Sequence, residues 1–171
     1  ANYRREKIGF IFQDFNLLNT LTLKENIMLP ILLGSGNKKV DMKKVDKIAK
    51  DLGIFKIMDK YPYEVFGGER QRTAAARAII TNPKIVLADE PTGNLDSKSS
   101  KELLEMLTFL NQEYGITIVM VTHDIYAASY SNRVLFIRDG KLFNELVKND
   151  DRKEFFDQII DFEATIGGGH E

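Results

Sequence analysis

Short apolar runs alternate with helix-periodic segments along the chain. The runs at residues 7–12 and 85–88 and the β-branched run at residues 116–122 have the length and composition of strands. Between them, apolar residues recur three and four positions apart, most clearly over residues 41–52. Strands that alternate with helices predict an α/β fold with a parallel sheet, in which the strand at residues 116–122 is buried on both faces.

Capping and turn residues predict the remaining elements. Further helices are expected over residues 20–33, 97–114 and 151–164, each with an apolar face and polar residues near its start. Either Asp96 or Ser97 is expected to cap the second of them. The pair Asp139 and Gly140 lies between two apolar segments and is typical of a two-residue β-hairpin turn.

The composition narrows the class of protein. The chain has 171 residues, of which 43% are hydrophobic and 29% charged, a balance typical of a globular domain. Its net charge is -1, from 24 basic and 25 acidic residues, whereas proteins that bind nucleic acid through a broad electrostatic surface are usually more basic. No cysteine and only 2 histidines are present, which excludes disulfides and Cys- or His-rich metal sites.

Two adjacent carboxylates follow the apolar run at residues 85–88. Asp89 and Glu90 would lie at the carboxyl end of a buried strand, the edge at which open parallel sheets bind ligands. One carboxylate at such an edge suits Mg²⁺ and its neighbour can polarise an attacking water, the two tasks of phosphoryl transfer. The alternative is an exposed acidic turn at the end of a strand.

Two further motifs are weak evidence for a phosphate site when taken alone and stronger evidence when taken together with the carboxylates. Gly67 and Gly68 begin an alanine-rich helix, and glycines at a helix start leave backbone N–H groups open toward an anion. His123 follows the run at residues 116–122, where an imidazole can contact a terminal phosphate or a lytic water. An ordinary loop-to-helix junction and a structural histidine are the corresponding alternatives.

The order of these motifs resembles that of the ATP-binding subunits of ABC transporters. The similar motifs are the Q-loop glutamine, the signature, the Walker B strand with its catalytic glutamate, the D-loop and the switch histidine. In this chain they lie at Gln13, residues 65–69, residues 85–89 with Glu90, residues 94–96, and His123. The resemblance covers essentially the whole chain and implies the P-loop NTPase fold of an ABC ATPase, a three-layer α/β fold with a parallel sheet and a helical subdomain, here incomplete at the N-terminus.

The resemblance also implies a branch of the family and a division of the chain. Residues 12–18 and 89–96 resemble the branch of macrolide export, lipoprotein release and antimicrobial-peptide export, and the C-terminal tail resembles the bacitracin-type peptide exporters. The implied parts are a helical subdomain with the signature at residues 14–80, a RecA-like core at residues 1–13 and 81–150, and a C-terminal helix and tail at residues 151–171.

The family gives each motif residue a role. Asp89 and Gln13 would hold Mg²⁺, Glu90 would activate water, and His123 would contact the γ-phosphate of ATP. The residues expected to contact the nucleotide are Gln13, Phe66, Gly67, Gly68, Glu69 and Asp96. Two copies would form a homodimer around two ATP molecules and dock on a membrane-spanning permease, in the cytoplasm at the inner face of the cell membrane, with no nucleic-acid partner.

Two features depart from the family pattern. The chain has no Gly-x-x-x-x-Gly-Lys-Ser/Thr phosphate-binding loop (Walker A), which in the family precedes the Q-loop. The chain therefore looks like the remainder of a longer ATPase, and we expect these 171 residues alone to bind ATP poorly and to lack a pairing partner for the strands at residues 85–88 and 116–122. The other departure is Phe66, which stands where the family has a serine whose hydroxyl contacts the γ-phosphate of the opposite subunit's ATP.

These features predict an ATPase subunit that powers a membrane transporter, with export of an antimicrobial peptide or a related compound as the specific expectation. One alternative is a non-transport ABC ATPase of DNA repair or chromosome maintenance. Such proteins carry long coiled coils, whereas the stretch between Gln13 and Gly67 is short. Another alternative is a catalytically inactive fragment or interaction module, which the missing phosphate-binding loop favours.

Overall fold

A computed structural model describes residues 8–12, 14–34, 39–93 and 95–167. The chain divides into two units, Ala1–Val121 and Thr122–Glu171. The first unit contains a three-stranded parallel sheet with helices, and the second contains an antiparallel hairpin with helices. The α/β class with a parallel sheet, predicted from the alternating pattern, is confirmed.

The sheet of the first unit places three strand ends at one edge. Its strands are β1 (Ile8–Phe12), β2 (Ile85–Asp89) and β3 (Thr117–Val121), in the order β1-β2-β3. In register, Phe12 pairs with Asp89 and Asp89 pairs with Val121. Because all three strands are parallel, whatever follows their last residues lies at the same edge.

Within the described residues, four helices accompany this sheet. They are α1 (Leu23–Leu32), α2 (Met42–Asp51), α3 (Gly67–Ile79) and α4 (Ser97–Tyr114), with 3-10 turns at Phe55–Ile57 and Pro62–Glu64. The helix α1 begins later than predicted because Thr22 caps it. Glu25 donates its N–H to the Thr22 hydroxyl at 3.2 Å, and Thr22 donates its N–H to the Glu25 carboxylate at 2.7 Å. In the described parts of the chain, no helix combines the length and apolar character that a membrane span requires.

One face of the sheet forms the core of the first unit. Alternate residues of β1 and β2 are buried there together with the apolar faces of α3 and α4. The closest approach is at Gly9, where an added Cβ would lie less than 3.0 Å from the carbonyl oxygen of Ala78 and 3.1 Å from a methyl of Val86. Glycine at this position therefore lets α3 pack directly on the backbone of β1.

The opposite face of the sheet is exposed. Phe10 and Phe12 stack with ring centroids 5.8 Å apart, and Val119 and Val121 are 45% and 59% exposed. The expectation that the third strand is buried on both faces is therefore wrong, because the helices of the described residues cover only one face of the sheet. The expected lack of a partner is also wrong for β2, the middle strand, which is paired on both sides, whereas β3 lies at an edge.

The second unit is organised around the predicted hairpin. Its elements are α5 (Ile125–Ala128), β4 (Arg133–Arg138), β5 (Lys141–Val147) and α6 (Arg152–Gly167). Asp139 and Gly140 both have positive φ, 51° and 72°, as a two-residue turn requires, so the hairpin prediction is confirmed. The ring of Phe162 on α6 lies 4.5 Å from that of Phe136 and 6.2 Å from that of Phe143, which packs the helix on the hairpin.

Candidate functional site

The two adjacent carboxylates lie at the carboxyl edge of the sheet, as the sequence predicted. Asp89 is the last residue of β2, and its side chain is exposed. Glu90 has φ of 43°, in the left-handed region that residues with a side chain rarely adopt. Its N–H donates to the carbonyl oxygen of Val121 at 2.9 Å, which ties the turn after β2 to the end of β3. Unfavourable backbone of this kind is concentrated at functional sites.

An open cavity of about 230 Å³ lies beside these carboxylates. It is lined by Phe12, Asp14, Asn16, Asp89 and Glu90. Pockets that enclose a whole small-molecule ligand usually measure about 300–1,000 Å³, so this cavity is smaller than a pocket that encloses a complete nucleotide. Its lining is rich in oxygen donors, the ligands that Mg²⁺ prefers.

The loop after β1 forms the other wall of the cavity. Gln13, the predicted Q-loop residue, lies outside the described residues. Phe15 and Asn16 both have left-handed backbone, with φ of 58° and 45°. The guanidinium of Arg77 on α3 donates to their carbonyl oxygens, at 2.7 Å to Phe15 and 2.6 Å to Asn16. A helix from elsewhere in the chain thus holds this loop by its backbone.

A buried asparagine holds the far end of the same loop. Asn26 on α1 is fully buried and accepts the N–H of Leu18 at 2.8 Å on its side-chain oxygen. Its side-chain N–H groups donate to the carbonyl oxygens of Leu18, Leu21 and Thr22 at 3.0, 3.2 and 3.0 Å. This local anchor gives the buried amide the partners that it needs.

The predicted signature residues lie at the amino end of α3. Phe66 immediately precedes the helix and is 84% exposed, and its N–H donates to the carboxylate of Glu69 at 2.9 Å. A Cβ added at Gly67 would meet nothing within 4 Å, and one at Gly68 would meet only side-chain atoms at 3.9–4.0 Å. The packing of this unit therefore does not require glycine at either position, in contrast to Gly9. These residues do not line the carboxylate cavity.

The predicted D-loop leads into α4. Asn94 lies outside the described residues, and Asp96 caps the helix, as the sequence suggested. The Ser99 hydroxyl donates to the Asp96 carboxylate at 2.7 Å, and the N–H groups of Ser99 and Lys98 donate at 3.0 Å. These bonds lower the pKa of the Asp96 carboxyl. The cap therefore adds stability above the ordinary pKa of aspartate, and this contribution disappears as the pH falls through the lowered value.

The predicted switch histidine belongs to the second unit. His123 is exposed and lies in the segment before α5. The residue after it, Asp124, donates its N–H to the Thr122 hydroxyl at 3.0 Å and accepts the N–H of Tyr126 at 2.9 Å, so it caps α5. These two bonds fix the backbone on the carboxyl side of the imidazole.

Sequence reasoning did not single out Asp14, Asn16, Asn26 and Arg77 as site residues. Asp14 and Asn16 lie within a segment used only to identify the family branch, although polar residues just after a strand end are candidates for the carboxyl edge of a sheet. A lone arginine among alanines was the available signal for Arg77, because an alanine-rich helix face is usually buried and a charge there needs a partner.

Comparisons with known proteins identify the family of the chain. The family model described as ABC transporter matches residues 1–93. The chain is 51% identical over 168 residues to the ABC transporter ATP-binding protein YxdL of Bacillus subtilis (strain 168), and this match covers 98% of the chain and 65% of YxdL. It is 50% identical over 169 residues to the bacitracin export ATP-binding protein BceA of Halalkalibacterium halodurans, covering 98% of the chain and 67% of BceA.

A solved structure gives the same answer for the fold. The dimeric post-hydrolysis structure of the ATP-binding cassette MJ0796, bound to ADP and Pi, matches with a TM-score of 0.69 and 38% identity, over 88% of this chain and 66% of that one. The chain thus spans about two thirds of the length of these relatives. The resemblance and the fold predicted from the sequence are both confirmed. The chain belongs to the ABC transporter family and has the P-loop NTPase fold of its ATP-binding cassettes.

Proposed function

We propose that the protein carrying this chain hydrolyses ATP to power a membrane transporter that exports an antimicrobial peptide or a related compound. The observation that supports this most strongly is the pair Asp89 and Glu90, which lies at the carboxyl edge of a parallel sheet and lines an open cavity together with Asp14 and Asn16. In this proposal Glu90 accepts the proton of the attacking water, and His123 donates a hydrogen bond to the γ-phosphate. Both tasks are positioning and proton transfer, on which phosphoryl transfer depends.

The donor set at the cavity fits Mg²⁺. Asp89 offers an exposed carboxylate, and Mg²⁺ that accompanies nucleotide usually takes only one or two protein carboxylates, its other ligands being phosphate oxygens and water. Asp89, together with Gln13, would hold the ion. When bound, Mg²⁺ would neutralise phosphate charge.

The amino end of α3 is the proposed contact with the ATP of a second copy of the chain. The open space around Gly67 and Gly68 supports this, because the glycines leave room for a group that approaches from outside this unit. The first amides of a helix face an approaching anion with their N–H groups and the positive end of the helix dipole. Phe66 and Glu69 would border that contact, and Asp96 would contribute from the start of α4.

The remaining parts of the proposal rest on the relatives. BceA is named for bacitracin export. The helices between β1 and α3 are α1 and α2, of 10 residues each, which is far from the long coiled coil expected of a DNA-repair ATPase. We therefore assign residues 14–80 as the region that docks on a permease, residues 1–13 and 81–150 as the core, and residues 151–171 as the C-terminal part, working at the inner face of the membrane.

The proposal is tested with the full-length protein and its permease. Mg²⁺-dependent ATP hydrolysis is expected for the complex in membranes or detergent, and loss of the gene should make the host more sensitive to bacitracin-class peptides. Absence of ATP turnover by the complex would contradict the ATPase function. Turnover without any change in peptide sensitivity would contradict the export of peptides and leave the ATPase function standing.

Phe66→Ser is expected to raise ATP turnover in the same complex. The serine hydroxyl would supply a hydrogen bond to the γ-phosphate that a phenyl ring cannot make, and one such bond to a charged group is worth roughly 1.5–3 kcal/mol, or about tenfold in rate or more. Steady-state phosphate release at saturating Mg-ATP measures the effect. Phe66→Ala is the control, since it removes the ring without adding a donor. Equal rates for the serine variant and the unmodified protein would show that the backbone amides suffice.

A further inference from the structure

We infer that Arg77 is a positioning residue for the reaction, because it links the helix that begins at the signature to the loop that forms one wall of the carboxylate cavity. The inference rests on the proposed ATPase function for its catalytic consequence. The contact itself does not depend on that function. It joins segments that are distant in sequence, since Arg77 is 61 and 62 residues away from the two carbonyl groups that it binds.

The loop held by Arg77 has an unfavourable backbone. Phe15 and Asn16 are consecutive residues with positive φ, a conformation in which the side chain of an L-residue crowds its own backbone. One bond within the loop, from the N–H of Asn16 to the Asp14 carbonyl at 2.6 Å, spans Phe15 and depends on its backbone conformation. The donor fork of Arg77 binds both carbonyl oxygens at once, which favours this arrangement over an ordinary extended one.

The position of the guanidinium strengthens this anchor. Arg77 is half-buried, and burial lowers the pKa of its guanidinium, but an arginine titrates so far above neutral pH that the group stays charged. A charged donor that is partly removed from water makes stronger hydrogen bonds to carbonyl oxygens than one that is fully hydrated.

The loop held by Arg77 contributes side chains to the wall of the carboxylate cavity. Asp14 and Asn16 line the cavity together with Asp89 and Glu90. Asn26 fixes only the end of the loop at Leu18, so the end nearest the carboxylates depends on Arg77. Without Arg77 we expect that end to relax toward negative φ, which would displace the wall of the cavity relative to Glu90. We expect such a displacement to lower the rate of the chemical step more than it weakens the binding of substrate.

The test compares three variants of the full-length protein. Arg77→Met keeps the apolar stem and removes both donors, and Arg77→Lys keeps the charge but reaches one carbonyl at most. The third variant, Arg138→Met, removes an exposed arginine from the end of β4, which does not line the cavity. Hydrogen–deuterium exchange of peptides covering residues 14–18 reports the loop, and kcat and KM for Mg-ATP report the reaction. Melting temperatures establish that each variant is folded. If Arg77→Met does not fold, the comparison is made with Arg77→Lys.

The expected result is specific to position 77. Exchange over residues 14–18 should become faster and kcat should fall roughly tenfold or more in Arg77→Met, with KM little changed, because two charge-assisted bonds are lost. Arg77→Lys should be intermediate and Arg138→Met unchanged. Unchanged exchange in Arg77→Met, or faster exchange with unchanged kcat, would overturn the inference. An unmodified protein without ATP turnover would instead contradict the proposed function and the catalytic part of this inference, and exchange would still show whether Arg77 holds the loop.

Discussion

Glu90→Gln is expected to stop ATP turnover by the full-length protein and to leave ATP binding intact. Glutamine has nearly the same shape and preserves the hydrogen bond from the backbone N–H to Val121, but its amide cannot take a proton from water. Loss of a positioned general base lowers the rate by about 10²- to 10⁴-fold. Phosphate release and isothermal titration with Mg-ATP measure the two quantities separately.

A matched substitution separates this effect from a change of charge. Glu113→Gln removes one exposed carboxylate from α4, away from the cavity, and should leave turnover at the parent rate. A Glu90→Gln protein that hydrolyses ATP as fast as the parent would show that Glu90 is not the group that activates water. Loss of ATP binding in that variant would show instead that Glu90 contributes to holding the nucleotide.

Gly9→Ala is expected to destabilise the protein severely. The added Cβ would come less than 3.0 Å from the carbonyl oxygen of Ala78, which belongs to the backbone of α3 and cannot rotate away. Relief requires α3 to move off β1, and overpacking of this kind costs about 3 kcal/mol or more. For a domain of this size, that corresponds to a fall in melting temperature of roughly 6–12 °C. Thermal unfolding followed by circular dichroism at 222 nm measures it.

Gly67→Ala is the matched control for this prediction. A Cβ there meets nothing within 4 Å, and alanine is the better helix former, so the melting temperature should be unchanged or slightly higher. If the two alanine variants unfolded at the same temperature, the tight packing of α3 on β1 would be refuted. Under the proposed function, Gly67→Ala should still lower ATP turnover, since it crowds amides proposed to bind the second subunit's nucleotide.

Structural features with a local physical cause could be predicted from local patterns in the sequence. The run at residues 85–88 followed by two acids predicted both β2 and the carboxylate pair, because a buried strand needs apolar residues and its end meets water. The helix cap was predicted at Asp96 or Ser97, of which Asp96 is the cap, and Asp139 with Gly140 was predicted as a hairpin turn for similar reasons. Each of these signals requires only neighbours within a few positions of the chain.

The remaining features depend on contacts between distant segments. An apolar run does not say whether a second layer covers it, which is why the exposure of Val119 and Val121 was not predicted. The left-handed backbone of Glu90 depends on its hydrogen bond to Val121, and the role of Gly9 depends on the approach of α3. Periodicity and propensity carry no information on such pairings, so these features had to come from the structure.

The close approach at Gly9 fixes α3 near its carboxyl end and far from its signature residues. The helix rests on β1 at Ala78, near its carboxyl end, whereas the surroundings of Gly67 at its amino end are open. At a rise of 1.5 Å per residue, the two points lie about 16 Å apart. If α3 rotated by roughly 5° about its contact with Gly9, its first turn would move by about 1.4 Å. A movement of that size is enough to make or break a hydrogen bond from the amide of Gly67.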